Sequence, residues 1–106
     1  MSIEDERDSD SFADLSANIP PERQAEIFAA LADPVRVRFV RELADSAEHS
    51  GKVLAHRLGI SLALLSHHSK ILVAARLVRK RKEGQTTYYR FDGAILKACV
   101  NGIVQP

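Results

Sequence analysis

The 106-residue sequence contains one cysteine, Cys99, and no long apolar run. A single thiol excludes an intramolecular disulfide and any metal site that needs several thiolates from one protomer, and it predicts a reducing compartment. No apolar run approaches the roughly 20 residues that span a bilayer, and the N-terminus lacks the basic and apolar regions of a signal peptide. We therefore expect a cytoplasmic protein that does not bind a membrane.

Patterns of catalytic residues are also missing. The five glycines form no phosphate-cradling loop, and Gly51-Lys52 lacks the rest of a P-loop. No paired carboxylates and no nucleophile with a matching base are evident. We therefore predict that the protein is not an enzyme.

The net charge of +1 conceals a separation of charge along the chain. Residues 1–19 hold six acidic residues and one arginine, whereas residues 61–91 hold seven basic residues and one glutamate. The first segment is polar and rich in Ser and Asp, so we predict a disordered acidic tail over residues 1–19. Residues 20–106 are expected to form one small domain.

Helix signals occur four times before the basic stretch. Pro20-Pro21 favours the start of a helix that runs to about Ala32, and Asp33-Pro34 joins a strong N-cap to a proline at the first helical position. A short amphipathic helix then ends at Gly59, a candidate left-handed C-cap. Ser61 is a good N-cap for a fourth helix that no Gly or Pro interrupts.

The short helix, the Gly59 turn and the helix after Ser61 together predict a helix-turn-helix motif, whose second helix enters the major groove. Helical spacing puts apolar and polar residues of this recognition helix on separate faces. The inward face is expected to hold Leu65, His68, Ser69 and Leu72. The outward face is expected to hold Leu62, Ala63, Ser66, His67 and Lys70.

The pattern changes after Leu77 to two β-rich segments around Glu83-Gly84, which predicts a hairpin, or wing. Asp92 is then expected to cap a last helix from Gly93 to about Val104. The predicted fold class is mainly α with a small β-hairpin wing. In element order this is α-α-α-α-β-β-α, a winged helix-turn-helix.

Basic residues beside such a motif indicate DNA binding. Lys70 and the wing cations would neutralise phosphates, whereas Ser66 and His67 could bond to base edges or phosphates, and Leu62 and Ala63 could pack on thymine methyls. A solvated basic hairpin is the alternative interpretation of the wing cations. The predicted DNA contacts are Ser61, Leu62, Ala63, Ser66, His67, Lys70, Arg79, Lys80, Arg81, Lys82 and Gln85.

The last helix carries an apolar face at the end of the sequence, and that face must be buried. We predict a symmetric dimer interface formed with the first helix. The predicted interface residues are Ile27, Leu31, Ile95, Leu96, Cys99 and Ile103. A cysteine on an apolar face is more often a small core residue than a sensor, and contact between Cys99 and its symmetry mate is the alternative.

Histidine is the remaining type of metal ligand. Adjacent helical residues point about 100° apart, so His67 and His68 are not expected to converge on one ion. We predict a buried, hydrogen-bonded His68, a DNA contact at His67, and surface positions for His49 and His56. No metal and no cofactor is predicted.

In combination, these segments resemble the ArsR/SmtB family of small dimeric winged-helix repressors over roughly residues 22–103. The resemblance implies a dimer that binds an imperfect palindrome and is released by an inducer, usually a metal ion or a thiol-reactive species. The matching segments are Leu31-Ala32-Asp33-Pro34-x-Arg36, Leu54-Ala55-x-x-Leu58-Gly59-Ile60-Ser61, Leu65-Ser66-His67-His68-x-Lys70-x-Leu72, Ala75-x-Leu77-Val78 and Gly84-x-x-x-Tyr88.

The sequence departs from the family's sensor patterns. Ser50 and Lys52 occupy the positions of a Cys-x-Cys pair, the last helix has no histidine, and the redox-responsive members use two cysteines. Ser69 replaces a usual apolar residue and is expected to loosen the core, while Arg76 replaces a usual glycine. Polar residues are common in the family at Leu62 and Ala63, so DNA shape is expected to contribute more to recognition here.

We therefore predict a homodimeric, sequence-specific repressor that binds a double-stranded DNA operator and responds to an unidentified inducer. One alternative is a winged helix that serves as a protein interaction module. Another is a repressor whose inducer is detected by a protein co-regulator, because neither inherited metal site is present.

Overall fold

The computed structural model describes residues 19–104, which contain five helices and a three-stranded sheet. In chain order the elements are α1 (Pro21–Ala30), α2 (Pro34–Glu42), β1 (His49–Ser50), α3 (Gly51–Leu58), α4 (Leu62–Ala74), β2 (Val78–Glu83), β3 (Thr86–Phe91) and α5 (Gly93–Val104). The predicted acidic tail lies outside the described residues except for Ile19. Ile19 packs against the core, so it belongs to the domain rather than to the tail.

Local signals in the sequence set the helix boundaries as predicted. The Asp33 carboxylate accepts hydrogen bonds from the backbone N–H groups of Val35 (2.8 Å) and Arg36 (3.2 Å), and Ser61 Oγ accepts one from Leu64 N–H (3.0 Å). Gly59 ends α3 in the left-handed conformation, with φ +68°. These contacts satisfy backbone donors that a helix start leaves without a partner. They confirm the predicted helix-turn-helix segment.

One strand was not predicted. His49 and Ser50 pair with Tyr89 and Tyr88, which gives an antiparallel sheet in the order β1-β3-β2. Ser50 Oγ also accepts a hydrogen bond from Val53 N–H and so caps the start of α3 at Gly51. The segment just before α3 therefore joins the wing to the helix-turn-helix.

The core draws side chains from all five helices and from the sheet. Tyr89 is the buried residue of β3. The fully buried large side chains are Ile27, Phe39, Leu43, Leu54, Leu65, Leu72, Leu77, Val78 and Cys99. Each helix therefore has at least one side chain that holds it to a common centre.

Arg76 ends α4 in the left-handed region, with φ +63°. Leu77 N–H bonds to Leu72 C=O (3.0 Å) across this residue, which is the hydrogen bond of a Schellman motif. Glycine is the usual residue at such a position, since a side chain there costs about 1–2 kcal/mol. The positive charge of Arg76 at the negative end of the helix dipole offsets part of that cost.

Two of the predicted dimer contacts need correction. Ile27 and Cys99 are fully buried where α1 packs on α5 within one protomer, and the side-chain amide of Gln24 donates to the carbonyl oxygen of Cys99 (3.1 Å). They have no surface left for a second copy. Burial also raises the pKa of the Cys99 thiol, which fits the predicted core role.

The other predicted dimer residues keep exposed surface. Leu31, Ile95 and Leu96 are half-buried, whereas Ile103 is exposed. Val100 and Val104 extend the exposed apolar strip of α5 beyond the predicted set. None of the helices within residues 19–104 has the length and apolar character needed to cross a membrane.

Candidate DNA-binding surface

The two faces of α4 are arranged as the sequence predicted. Leu65, His68, Ser69 and Leu72 are buried. The side chains placed on the outward face by helical spacing are all exposed; these are Leu62, Ala63, Ser66, His67 and Lys70, together with the N-cap Ser61. The domain therefore presents one side of α4 to solvent from Ser61 to Lys70.

A hydrogen-bonded chain attaches α4 to the wing. Tyr89 OH donates to Ser69 Oγ (3.4 Å), and Ser69 Oγ donates to the carbonyl oxygen of Ser66 (2.9 Å). The Tyr89 ring meets the Phe39 ring edge-on, with centroids 5.6 Å apart. The expectation that Ser69 loosens the core is wrong, because its hydroxyl has a donor and an acceptor partner where a buried polar group needs them.

A second contact attaches α4 to α2. Arg36 Nη1 lies 3.2 Å from His68 Nδ1, and Arg36 Nε donates to the carbonyl oxygen of Ala30 (2.6 Å). Because a guanidinium can only donate, Nδ1 of His68 accepts, and the imidazole is neutral with its proton on Nε2. The predicted buried, hydrogen-bonded His68 is confirmed. Through this contact Arg36 of α2 holds the recognition helix in place.

Three charged or titratable groups surround His68: Asp33 and Arg36 from α2, and His67 from α4. Burial lowers the pKa of His68 below its ordinary value of 6.5, the charge of Asp33 opposes that shift, and Arg36 and His67 add to it. The folded protein therefore binds fewer protons than the unfolded chain just below pH 6.5. The stability that neutral His68 contributes is complete above that pH and is lost as the pH falls toward the lower pKa of the folded state.

Replacing His68 by glutamine should make the domain less sensitive to acid. The amide oxygen of glutamine can accept the Arg36 hydrogen bond and does not titrate. Urea titrations at about pH 7 and about pH 5 give the drop in unfolding free energy between the two pH values. This drop should be smaller in His68→Gln than in the parent protein by roughly 1 kcal/mol. His56→Gln, at an exposed histidine, is the control and should leave the pH dependence unchanged. An equal loss in the parent protein and in His68→Gln would contradict the role of His68.

The four basic residues of β2 divide between two faces of the hairpin. Side chains alternate along a strand, and directly opposite residues of antiparallel strands share a face. Lys80 lies opposite Tyr89 and Lys82 opposite Thr87, on the face that carries the Tyr89 contact to α4. Arg79 and Arg81 lie on the other face.

The two arginines are already paired with acidic side chains. Arg79 Nη2 lies 3.0 Å from the Asp92 carboxylate, and Arg81 binds Glu48 at 3.0 Å and Glu83 at 3.3 Å. The hydrogen bond from Arg81 lowers the pKa of Glu48, and these carboxylates raise the pKa of Arg81. Their positive charge is therefore largely compensated within the protein.

The lysines differ from the arginines in this respect. None of the ion pairs found within residues 19–104 involves Lys70, Lys80 or Lys82. All three side chains are exposed. An ammonium group without a protein partner keeps its full charge for a phosphate. On β2 the uncompensated positive charge is therefore that of Lys80 and Lys82. On β3, Arg90 is exposed and is likewise in none of these ion pairs, but it lies on the face of Arg79 and Arg81, away from the Tyr89 contact to α4.

A hollow of about 300 Å³ separates α4 from the tip of the wing. It is lined by Leu62 and Ser66 of α4, by Gln85 and Thr86 of the wing, and by Lys52 of α3. The structure therefore brings the predicted contact Gln85 beside the recognition helix. Lys52, which was not among the predicted DNA contacts, also lies beside this hollow.

Several known proteins are similar to this chain in sequence and in fold. A family model described as a helix-turn-helix domain matches residues 31–81. The HTH-type transcriptional regulator KmtR of Mycobacterium tuberculosis is 36% identical over 93 residues, which cover 84% of this chain and 71% of KmtR. The nodulation protein NolR of Rhizobium meliloti is 38% identical over 86 residues, which cover 74% of this chain and 70% of NolR.

Solved structures agree with the sequence comparisons. An ArsR-like transcriptional regulator from Rhodococcus sp. RHA1 is 35% identical, with a TM-score of 0.67 over 76% of this chain and 74% of that one. A homodimeric winged helix-turn-helix DNA-binding domain from Mycobacterium bovis is 26% identical, with a TM-score of 0.66 over 74% of this chain and 73% of that one. This chain belongs to the ArsR/SmtB family. The predicted resemblance and the predicted fold class are confirmed.

The positions at which metal-sensing ArsR/SmtB proteins keep a pair of cysteines have other roles in this chain. Ser50 caps α3, and Lys52 is an exposed cation, where the resemblance placed a pair of cysteines. His49 is half-buried at the surface, with its Nε2 2.9 Å from the Asp45 carboxylate, whereas His56 is exposed as predicted. Within the part of the chain that the structure describes, no group of three or more His, Cys, Asp or Glu side chains could hold a metal ion.

Two exposed residues of this ArsR/SmtB helix-turn-helix were missed by the sequence interpretation. Leu64, in the first turn of α4, is 41% exposed. Helical spacing puts it about 100° from Leu65, at the edge of the buried face, where periodicity alone does not decide exposure. Lys52 was missed because it approaches Gln85 only through the folding of the wing over α3.

Proposed function

We propose that this protein is a homodimeric transcriptional repressor whose two α4 helices enter successive major grooves of a palindromic operator, about 34 Å apart. The observation that carries the proposal is the exposed face of α4 beside wing lysines that have no acidic partner. The helix is held at three places, by Arg36, by Tyr89 and by its packing in the core. A rigidly held helix beside uncompensated charge is what groove insertion requires.

Release from the operator is proposed to depend on an inducer other than a metal ion bound at the family's cysteine positions. Ser50 and Lys52 at those positions offer a capping hydroxyl and a cation, neither of which is a ligand for a soft metal. A protein co-regulator is the other source of a signal. We also propose that the protein acts in the cytoplasm.

The salt dependence of DNA binding tests the proposed surface. An operator is first selected from a random duplex library, and affinity is then measured by fluorescence anisotropy over a range of salt concentrations. Combining Lys80→Ala with Lys82→Ala should reduce the slope of log K against log salt by roughly two for each bound protomer, because each phosphate contact contributes about one. The loss should be similar for different operator sequences, since phosphate contacts carry no base information.

The arginines of the same strand supply a control of equal charge. Combining Arg79→Ala with Arg81→Ala also removes two positive charges, but these are paired with Asp92 and Glu48 in the free protein. The change in slope should be smaller. Equal slopes for the two double variants would contradict the assignment of the lysines. Absence of salt-dependent binding to any selected duplex would contradict the repressor function and favour a protein interaction module.

A further inference from the structure

The first turn of α4 is apolar and open to solvent. Leu62 is 50% exposed and Leu64 is 41% exposed, and Ala63 between them is also exposed. Three consecutive side chains at the start of this helix therefore offer only hydrocarbon to whatever lies against them. A folding role does not account for their exposure, because the buried residues of α4 are Leu65, His68, Ser69 and Leu72.

Two cations lie on the same surface as this apolar turn, Lys52 beside it and Lys70 about two helical turns further along α4. Lys70 is exposed on the same outward side of α4, and Leu62 borders the hollow that Lys52 and Gln85 also line. A polyanion drawn to these cations places its surface against Leu62 and Leu64. In helix-turn-helix proteins the N-terminal residues of the recognition helix contact base edges. The occupant of the apolar turn is therefore the edge of base pairs in the major groove.

The major groove offers one strongly apolar group, the C5-methyl of thymine. A leucine packed on that methyl buries hydrocarbon on both sides. A leucine packed on the cytosine amino group or the guanine O6 covers a polar atom without giving it a partner, which is unfavourable. The same two side chains therefore favour thymine and disfavour G·C pairs.

We propose that Leu62 and Leu64 are specificity-determining residues that recognise thymine methyl groups, so that each operator half-site has thymines facing the first turn of α4. The proposal rests on the proposed function. The two leucines are two positions apart, and their side chains point about 200° apart around the helix. They therefore contact different base pairs, with Leu62 on the side of the wing and Leu64 on the opposite side.

Deoxyuridine substitution isolates the methyl group, because it removes the C5-methyl and leaves the hydrogen-bonding edge unchanged. Each thymine of a selected half-site is replaced in turn, and affinity is measured by fluorescence anisotropy. We expect at least two thymines at which the substitution weakens binding, by roughly fourfold for each methyl. Leu62→Ala should remove the thymine preference at one of these positions and Leu64→Ala at another.

The control variant is Val53→Ala, which trims an exposed apolar side chain on α3 and should keep both preferences. Circular dichroism should show all three variants folded, since the replaced side chains are exposed. Tight binding that is unaffected by deoxyuridine overturns the proposal and leaves the repressor function standing. Preferences that survive in both leucine variants overturn it as well. Failure to bind any duplex with salt-dependent affinity overturns the repressor function itself.

Discussion

Replacing Val100 and Ile103 by aspartate is expected to convert the protein to a monomer and to weaken its binding to a palindromic operator by roughly 100-fold. Both residues lie on the apolar strip of α5, where Val100 is 40% exposed and Ile103 is 58% exposed in the protomer. A second copy that covers this strip would have to take two carboxylates per protomer out of water. Without a compensating charge, such burial strongly disfavours association.

The loss of affinity follows from the geometry of a two-fold operator. When one α4 of a dimer is bound, the other is held beside its own half-site, so the second contact is intramolecular. A monomer has no such advantage and keeps only the affinity of one half-site. The affinity for an isolated half-site should change little, because Val100 and Ile103 lie on α5 and the proposed DNA contacts lie on α4 and the wing.

Size-exclusion chromatography with light scattering would measure the mass, and fluorescence anisotropy would measure affinity for the palindrome and for a half-site. Val53→Asp adds the same charge at another exposed valine, on α3, and should remain dimeric. Circular dichroism should confirm that the double variant is folded. A double variant that stays dimeric would show that the two copies meet through a different surface.

Signals confined to a few neighbouring residues were predictable from the sequence. Asp33, Ser61 and Gly59 each act on backbone groups within four residues, and each adopts the predicted role. The β-rich segment after Gly84 likewise located the second strand of the wing. Such features depend on local hydrogen bonds and side-chain direction, so the pattern in the sequence is sufficient to find them.

Features that join distant segments were not predictable in this way. The compensation of Arg81 depends on Glu48, which is 33 positions away in the sequence, and the bond between Arg36 and His68 spans 32 positions. The pairing of β1 with β3 involves only two residues and leaves no alternation to detect. The sequence could therefore locate the basic wing but could not separate its paired arginines from its unpaired lysines.

The apolar faces of α1 and α5 show a third limit. Periodicity showed that both helices have an apolar face, and the predicted dimer residues were taken from that face. It could not divide that face between the core of one protomer and the surface offered to another. Ile27 and Cys99 proved to belong to the core, whereas Ile103 lies on the exposed strip with Val100.

Replacing Tyr89 by alanine is expected to lower the free energy of unfolding by about 3–5 kcal/mol, the largest change in stability predicted for any single position considered. The ring is buried between Phe39, with centroids 5.6 Å apart, and the start of α3, where a Cβ added to Gly51 would lie 3.4 Å from Tyr89 Cε2. Alanine would leave a cavity and would remove the contacts that the Tyr89 side chain makes from the wing to α2, α3 and α4. A domain of this size has little stability to lose, so the variant should be partly unfolded at room temperature.

Two further variants separate the contributions of ring and hydroxyl. Tyr89→Phe keeps the packing and removes only the hydrogen bond to Ser69, so urea denaturation should show a loss of about 1 kcal/mol. Tyr88→Ala removes the neighbouring ring on the outer face of the hairpin. That ring is half-buried, with Arg81 Cζ 4.8 Å from its centroid, and its loss should lower the free energy of unfolding by about 1 kcal/mol or less. A similar loss for Tyr88→Ala and Tyr89→Ala would contradict the central position of Tyr89. If Tyr89→Phe stays folded but binds the operator more weakly, the Ser69 hydrogen bond also positions α4, because this substitution changes no residue on the DNA-facing surface.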